Sequence, residues 1–111
     1  MTTSKILFAT WVAAFAATML FAGLVKAESH VVTITGSAFN PANIEIQYGD
    51  SVTWKNEDIV PHTATAIDKS WDSGNISPGE EKTITFDTPF SGAYFCLYHP
   101  SMIAEVSMLK D

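Results

Sequence analysis

The sequence predicts an all-β sandwich or small barrel. Two observations carry that expectation. Apolar residues recur at every second position in several short runs, which is the period of a strand with one buried face. Between these runs lie turn-forming pairs and triplets at short intervals. No stretch after residue 27 carries a convincing helical period.

The elements follow in order. Val31 to Thr35 is a run of strand formers, closed by the turn pair Asn40-Pro41. Ile44, Ile46 and Tyr48 alternate with Asn43, Glu45 and Gln47, and Gly49-Asp50 ends that segment. Val52 and Trp54 alternate with Ser51, Thr53 and Lys55. Asp72-Ser73-Gly74 and Pro78-Gly79 are turn chemistry ahead of a strand in which Ile84 and Phe86 alternate with Thr83, Thr85 and Asp87. Ser91-Gly92 precedes the run Ala93 to Leu97, and Val106 and Met108 alternate with Glu105 and Ser107. There are no internal repeats and no linker, so one domain is expected over residues 28–111.

Residues 1–27 differ from the rest. Lys5 gives a short positive start, and 17 of the 20 residues from Ile6 to Val25 are apolar. Val25-Lys26-Ala27 then offers a cleavage site after Ala27, so the segment reads as a secretory signal peptide. The apolar run is also just long enough for an uncleaved membrane anchor. Export places the protein in the periplasm or outside the cell. There is no twin-Arg pair, so the chain would cross unfolded and acquire any metal afterwards.

The whole chain has 111 residues, six Lys, no Arg and twelve Asp or Glu. Lys5 and Lys26 leave with the leader and no acid does, so the remaining 84 residues carry a net charge of −8. This excludes a nucleic-acid binder, which needs a basic face. It also disfavours contact with anionic lipid, so no membrane association is expected unless the leader is retained. One Cys forms no internal disulfide and no four-Cys metal site. A domain this small often leans on a disulfide or a metal, which leaves the metal.

One constellation carries chemistry. The single Cys lies in Tyr94-Phe95-Cys96-Leu97-Tyr98-His99-Pro100-Ser101-Met102, a Cys-x2-His-x2-Met spacing, and His62 lies upstream in Val60-Pro61-His62-Thr63. Singly, Cys96 reads as a buried inert thiol, His99 as a turn residue and Met102 as core. Jointly they give two imidazoles, a thiolate and a thioether, the donors of a mononuclear blue-copper centre. Cu(I) favours sulfur and Cu(II) favours imidazole, so a rigid site offering both need not rearrange when one electron moves. Zinc also accepts His and Cys, but Met is a poor ligand for it.

On these residues the chain resembles the cupredoxins, in the style of amicyanin, pseudoazurin and plastocyanin. The resemblance covers nearly all of Val31 to Lys110. It is strongest over Asn56 to His62, from Asp72-Ser73-Gly74 to Pro78-Gly79, and over Tyr94 to Met102. It implies a Greek-key β-sandwich with one copper at one end, held by His62, Cys96, His99 and Met102. It further implies an electron-transfer protein rather than an enzyme, with His62 buried and His99 near the surface as the electron port. Ile59, Val60, Pro61, Tyr98 and Pro100 would form an apolar rim around it. Two positions depart from the family pattern. Thr63 stands where many members have an Asn that ties the two ligand loops together, and Ala104 stands where Gly is frequent.

A monomer is expected, and its acidic surface would steer a basic redox partner such as a c-type cytochrome. The alternative on the same fold is a periplasmic copper carrier or sensor. A redox enzyme would need a second metal with its own His ligands, and only His30 is left over. After a cut at Ala27, the start Glu28-Ser29-His30 offers four nitrogens in a square plane to Cu(II) or Ni(II). The competing reading is a surface His in the first strand. Asn75-Ile76-Ser77 matches a glycosylation sequon, a short pattern that arises readily by chance.

Overall fold

The structure, a computed structural model, describes residues 26–109. The leader, apart from Lys26 and Ala27, lies outside the described residues. Among the described residues all regular structure is β, and no helix is long and apolar enough to cross a membrane.

Among the described residues eight strands form two four-stranded sheets. They are β1 (Ser29–Thr35), β2 (Ala38–Asn40), β3 (Asn43–Ile46), β4 (Ser51–Asn56), β5 (Thr65–Ala66), β6 (Glu81–Thr85), β7 (Ala93–Phe95) and β8 (Ile103–Met108). One sheet has the order β2-β1-β4-β6 and the other β3-β8-β7-β5. β1 runs parallel to β4, β3 runs parallel to β8, and the remaining pairs are antiparallel. Neighbours that are far apart in sequence are the mark of the expected Greek-key sandwich.

The alternation in the sequence places the core. Val32 and Ile34 of β1, Val52 and Trp54 of β4, Tyr94 of β7, and Ala104 and Val106 of β8 all point between the sheets and are buried. Trp71 stacks on Trp54 at 5.5 Å and meets Phe86 edge-on at 5.2 Å, giving the small core an aromatic centre. Trp54 Nε1–H donates to the Tyr94 hydroxyl at 3.2 Å, so both large residues keep a polar partner inside. No buried side-chain nitrogen or oxygen among the described residues lacks a hydrogen-bond partner.

Three expectations are corrected. Tyr48 does not join the buried face of β3 and is 54 % exposed. The strand ends at Ile46 because Asp50 accepts the Gln47 N–H, while the Asp50 N–H returns to the Gln47 carbonyl. Phe86 is buried but lies one residue past β6, where its N–H pairs with the Asp50 carbonyl. The run Ala93 to Leu97 keeps strand pairing only to Phe95. The short strands β2 and β5 carry too few residues to show a period.

Strand direction fixes two poles. β1 and β4 end together, paired at Ile34↔Asn56, and β7 ends where β8 begins, paired at Phe95↔Ile103. The Thr63 N–H on Cys96 Sγ joins the segments that follow β4 and β7, so all four meet at one pole. The starts of β1 and β4, paired at Ser29↔Ser51, mark the other pole.

Candidate metal centre

Strand parity carries two of the four candidate ligands inward. Tyr94 is an inward position of β7, so Cys96, two residues on, continues toward the interior and is fully buried. Ala104 and Val106 are inward positions of β8, so Met102 precedes them on the same face, 5 % exposed. The two segments stay paired beyond the strands: the Cys96 N–H donates to the Met102 carbonyl at 3.2 Å. Between them the chain turns back, with the Met102 N–H on the His99 carbonyl at 2.9 Å. This turn brings the half-buried His99 over the thiol.

His62 arrives from another direction. It follows β4 by six residues and forms a two-bond bridge with Ile76, N to O at 3.1 Å and O to N at 2.8 Å. Asn56 holds the intervening loop in shape. It occupies the next inward position of β4 after Trp54, where a polar side chain is buried only if it is satisfied. Its Nδ2 donates to the Val60 and Ile76 carbonyls, both at 2.9 Å, and its Oδ1 accepts the Asp58 N–H at 2.9 Å.

The result is a convergence of three donor atoms within 4.8 Å of one another. Cys96 Sγ lies 3.7 Å from Nδ1 of His62 and 3.7 Å from Nδ1 of His99, and the two rings are 4.8 Å apart. A first-row ion bound in a plane by one thiolate at about 2.3 Å and two imidazoles at about 2.0 Å would hold sulfur and nitrogen about 3.7 Å apart. The donor set, its spacing and its burial therefore fit a mononuclear metal with copper-like preferences.

Thr63 ties the two ligand-bearing segments together. Its N–H points at Cys96 Sγ at 3.3 Å, and its hydroxyl accepts the Leu97 N–H at 2.9 Å. The hydroxyl also meets Thr65 Oγ1 at 3.0 Å, and Thr65 in turn donates to Asp72 Oδ1. Ala104 is accommodated without a bulge, in register with Tyr94. Sequence reasoning missed Asp58, whose Oδ2 lies 2.9 Å from His62 Nε2. Its carboxyl is held below the usual value, first by the Ser37 N–H and then by His62, against a smaller opposing effect of burial. An acid four residues before a His in a loop carries no signal in sequence alone.

Around the cluster, Ile59 is 92 % exposed, Tyr98 is 49 % exposed, Pro61 and Pro100 are exposed, and Val60 is half-buried. His30 lies apart at the opposite pole. It is held in β1, with Nε2 3.0 Å from Asp50 Oδ2, while the Glu28 N–H donates to Asp50 Oδ1 at 2.9 Å. The Glu28, His30 and Asp50 donor atoms also lie within 4.8 Å of one another. Ser29 and His30 lie in the extended backbone of β1, with Glu28 directly before it.

Comparison with known proteins agrees with this architecture. A family model described as a cupredoxin-like domain matches residues 5–106. The chain is 40 % identical over 72 residues to a chloroplastic plastocyanin of Tetradesmus obliquus, covering 55 % of this chain and 50 % of that protein. It is 28 % identical over 111 residues to amicyanin-alpha of Methylorubrum extorquens, covering 89 % and 93 %. Among solved structures it resembles a purple cupredoxin of Nitrosopumilus maritimus, with TM-score 0.65, 28 % identity and coverage of 72 % and 99 %. It also resembles a copper-containing nitrite reductase of Thermus scotoductus, with TM-score 0.68 and 26 % identity, covering 83 % of this chain. The chain thus spans half the length of the plastocyanin and a quarter of the reductase. Sheet order, pole geometry and these matches together establish that the chain belongs to the cupredoxin-like family.

Proposed function

We propose that this protein is an exported single-electron carrier with one copper held by His62, Cys96, His99 and Met102. The observation that carries the reading is the buried thiol with two imidazole nitrogens at equal distance from it. A copper ion there would supply the Cu(I)/Cu(II) couple. The protein's own contribution is rigidity. Asn56, Thr63 and the His62–Ile76 bridge hold the donors in one arrangement whether or not charge has moved. The Thr63 N–H stabilises charge on sulfur, and the apolar core below keeps water out. His99, half-buried among exposed apolar residues, offers the shortest path for an electron to a docked partner. The acidic surface suits a basic redox protein.

An enzymatic role finds less support. The reductase it resembles is four times the length matched, and among the described residues the one His outside the cluster lies at the opposite pole. The test is a Cu(II) titration followed in the visible spectrum, with Cys96→Ser as control. One equivalent should give an intense red-region band that ascorbate bleaches and oxidation restores, and the control should lack it. A colourless product would refute the blue-copper reading. Copper that passes to an acceptor without reversible redox cycling would favour the carrier alternative.

A further inference from the structure

His62 has a different neighbour at each ring nitrogen. Nδ1 faces Cys96 Sγ, and Nε2 lies 2.9 Å from Asp58 Oδ2. The imidazole is completely buried, and the Asp58 side chain is 17 % exposed. A carboxylate accepts hydrogen bonds and donates none, so it places the imidazole proton on Nε2 and leaves the lone pair of Nδ1 aimed at the thiol. That tautomer is the one that binds a metal through Nδ1.

Asp58 is itself held from a separate element. The Ser37 N–H donates to Oδ2 at 2.8 Å and the Gly36 N–H to Oδ1 at 3.2 Å, while the Asp58 N–H is fixed on Asn56 Oδ1. Gly36 and Ser37 both have positive φ, 57° and 53°, in the two-residue turn joining β1 to β2. A non-glycine residue in that region carries strain that the surrounding structure must hold. The contacts form a continuous line from the β1–β2 turn through Asp58 and His62 to the centre of the cluster.

We propose that Asp58 is a positioning residue of the metal centre that also sets its reduction potential. Anchored by the Gly36-Ser37 turn, its carboxylate makes His62 a more basic ligand. Its negative charge favours Cu(II) over Cu(I), because the oxidised ion carries one more positive charge. Removing the charge should raise the potential. This inference rests on the copper reading above, and part of its test does not depend on copper.

Asp58→Asn keeps the shape and an acceptor for Nε2–H but removes the charge. Carboxylates behind a ligating His typically change metal affinity about 10- to 100-fold. A tenfold loss for Cu(II) relative to Cu(I) is a rise of about 59 mV for a one-electron couple. The visible band should persist, because all four candidate ligands remain. A merely structural Asp58 would leave the potential unchanged, and an unchanged value in a folded, coloured Asp58→Asn protein would overturn the tuning role. The second measurement is nitrogen NMR of the imidazoles in the metal-free protein. His62 should be the Nε2–H tautomer in the unsubstituted chain and gain Nδ1–H character in Asp58→Leu. A metal-free His62 already in the Nδ1–H form would overturn the positioning role, even if Asp58→Leu failed to fold. Absence of the coloured band from the unsubstituted protein would instead refute the copper reading and the tuning role with it, while the tautomer measurement would still decide the positioning role.

Discussion

Thr63 and Cys96 are 33 positions apart in the chain, yet the Thr63 amide points straight at the Cys96 sulfur from 3.3 Å. The Thr63 hydroxyl then takes the N–H of the next residue, Leu97, at 2.9 Å. One residue thereby joins the His62 loop to the loop of Cys96, His99 and Met102. Thr63→Val keeps shape and backbone amide but leaves the half-buried Leu97 N–H without its acceptor. The metal-free protein should lose about 0.5–1.5 kcal/mol, the net contribution of a typical hydrogen bond. Urea unfolding measures it, and a midpoint equal to that of the unsubstituted protein would show that the hydroxyl tie is dispensable.

Asn56 makes three hydrogen bonds that define the loop leading to His62. Asn56→Ala strands the Val60 carbonyl and frees the Asp58 amide, with an expected loss of at least about 1–3 kcal/mol. The site should loosen as well, because His62 is reached only through this loop. Broadening of the His62 ring signals in the metal-free protein, together with a lowered urea midpoint, is the expected result. Sharp, unshifted ring signals would mean that the Ile76 bridge alone suffices.

Tyr94 lies at the centre of the aromatic core and accepts the Trp54 indole N–H. Burial pushes its hydroxyl pKa up to about 12, with the Trp54 bond acting in the opposite direction. A raised acid pKa contributes stability that is complete below the ordinary value near 10 and is lost as pH climbs through the folded value. Tyr94→Phe should therefore be less stable at neutral pH, by about 1–3 kcal/mol for the orphaned indole N–H. It should also show a shallower decline in stability above pH 10. Parallel alkaline profiles for the two proteins would contradict this.

Asp50 gives the opposite dependence. Burial alone would raise its pKa, but the Gln47 and Glu28 N–H groups and the His30 ring together lower it below the ordinary value. A depressed carboxylate pKa contributes stability that is present above the unfolded value near 3.9 and lost as pH falls through the folded one. Asp50→Asn should flatten that acid decline, and its stability at pH 7 should be lower because three donors lose a charged acceptor. Urea midpoints between pH 7 and the acid limit decide it. Superimposable profiles would remove Asp50 from the acid response.

Much of this protein is legible in one dimension because strand parity is a local rule. The alternation around Val52 and Trp54 gives β4 its buried face, and the same period carried past Tyr94 and back from Ala104 puts Cys96 and Met102 inside. The spacing of Cys96, His99 and Met102 was readable for the same reason, since all three share one turn. What lay beyond reading depends on chain segments meeting from a distance. β2 and β5 are strands only because longer neighbours offer them an edge. Tyr48 continues an alternating pattern and yet faces water, because Asp50 ends the strand before it. Above all, the partners that shape the site meet across long stretches of chain: Thr63 on Cys96, Asn56 at the end of β4 on Ile76, and the Gly36-Ser37 turn on Asp58. The sequence by itself determined the longer strands and the donor chemistry, because both follow from residue type at short spacing. Only the tertiary structure decided which groups stand behind the donors, because even the Asp58–His62 contact, four residues apart, depends on the loop shape that hydrogen bonds across 20 or more residues hold.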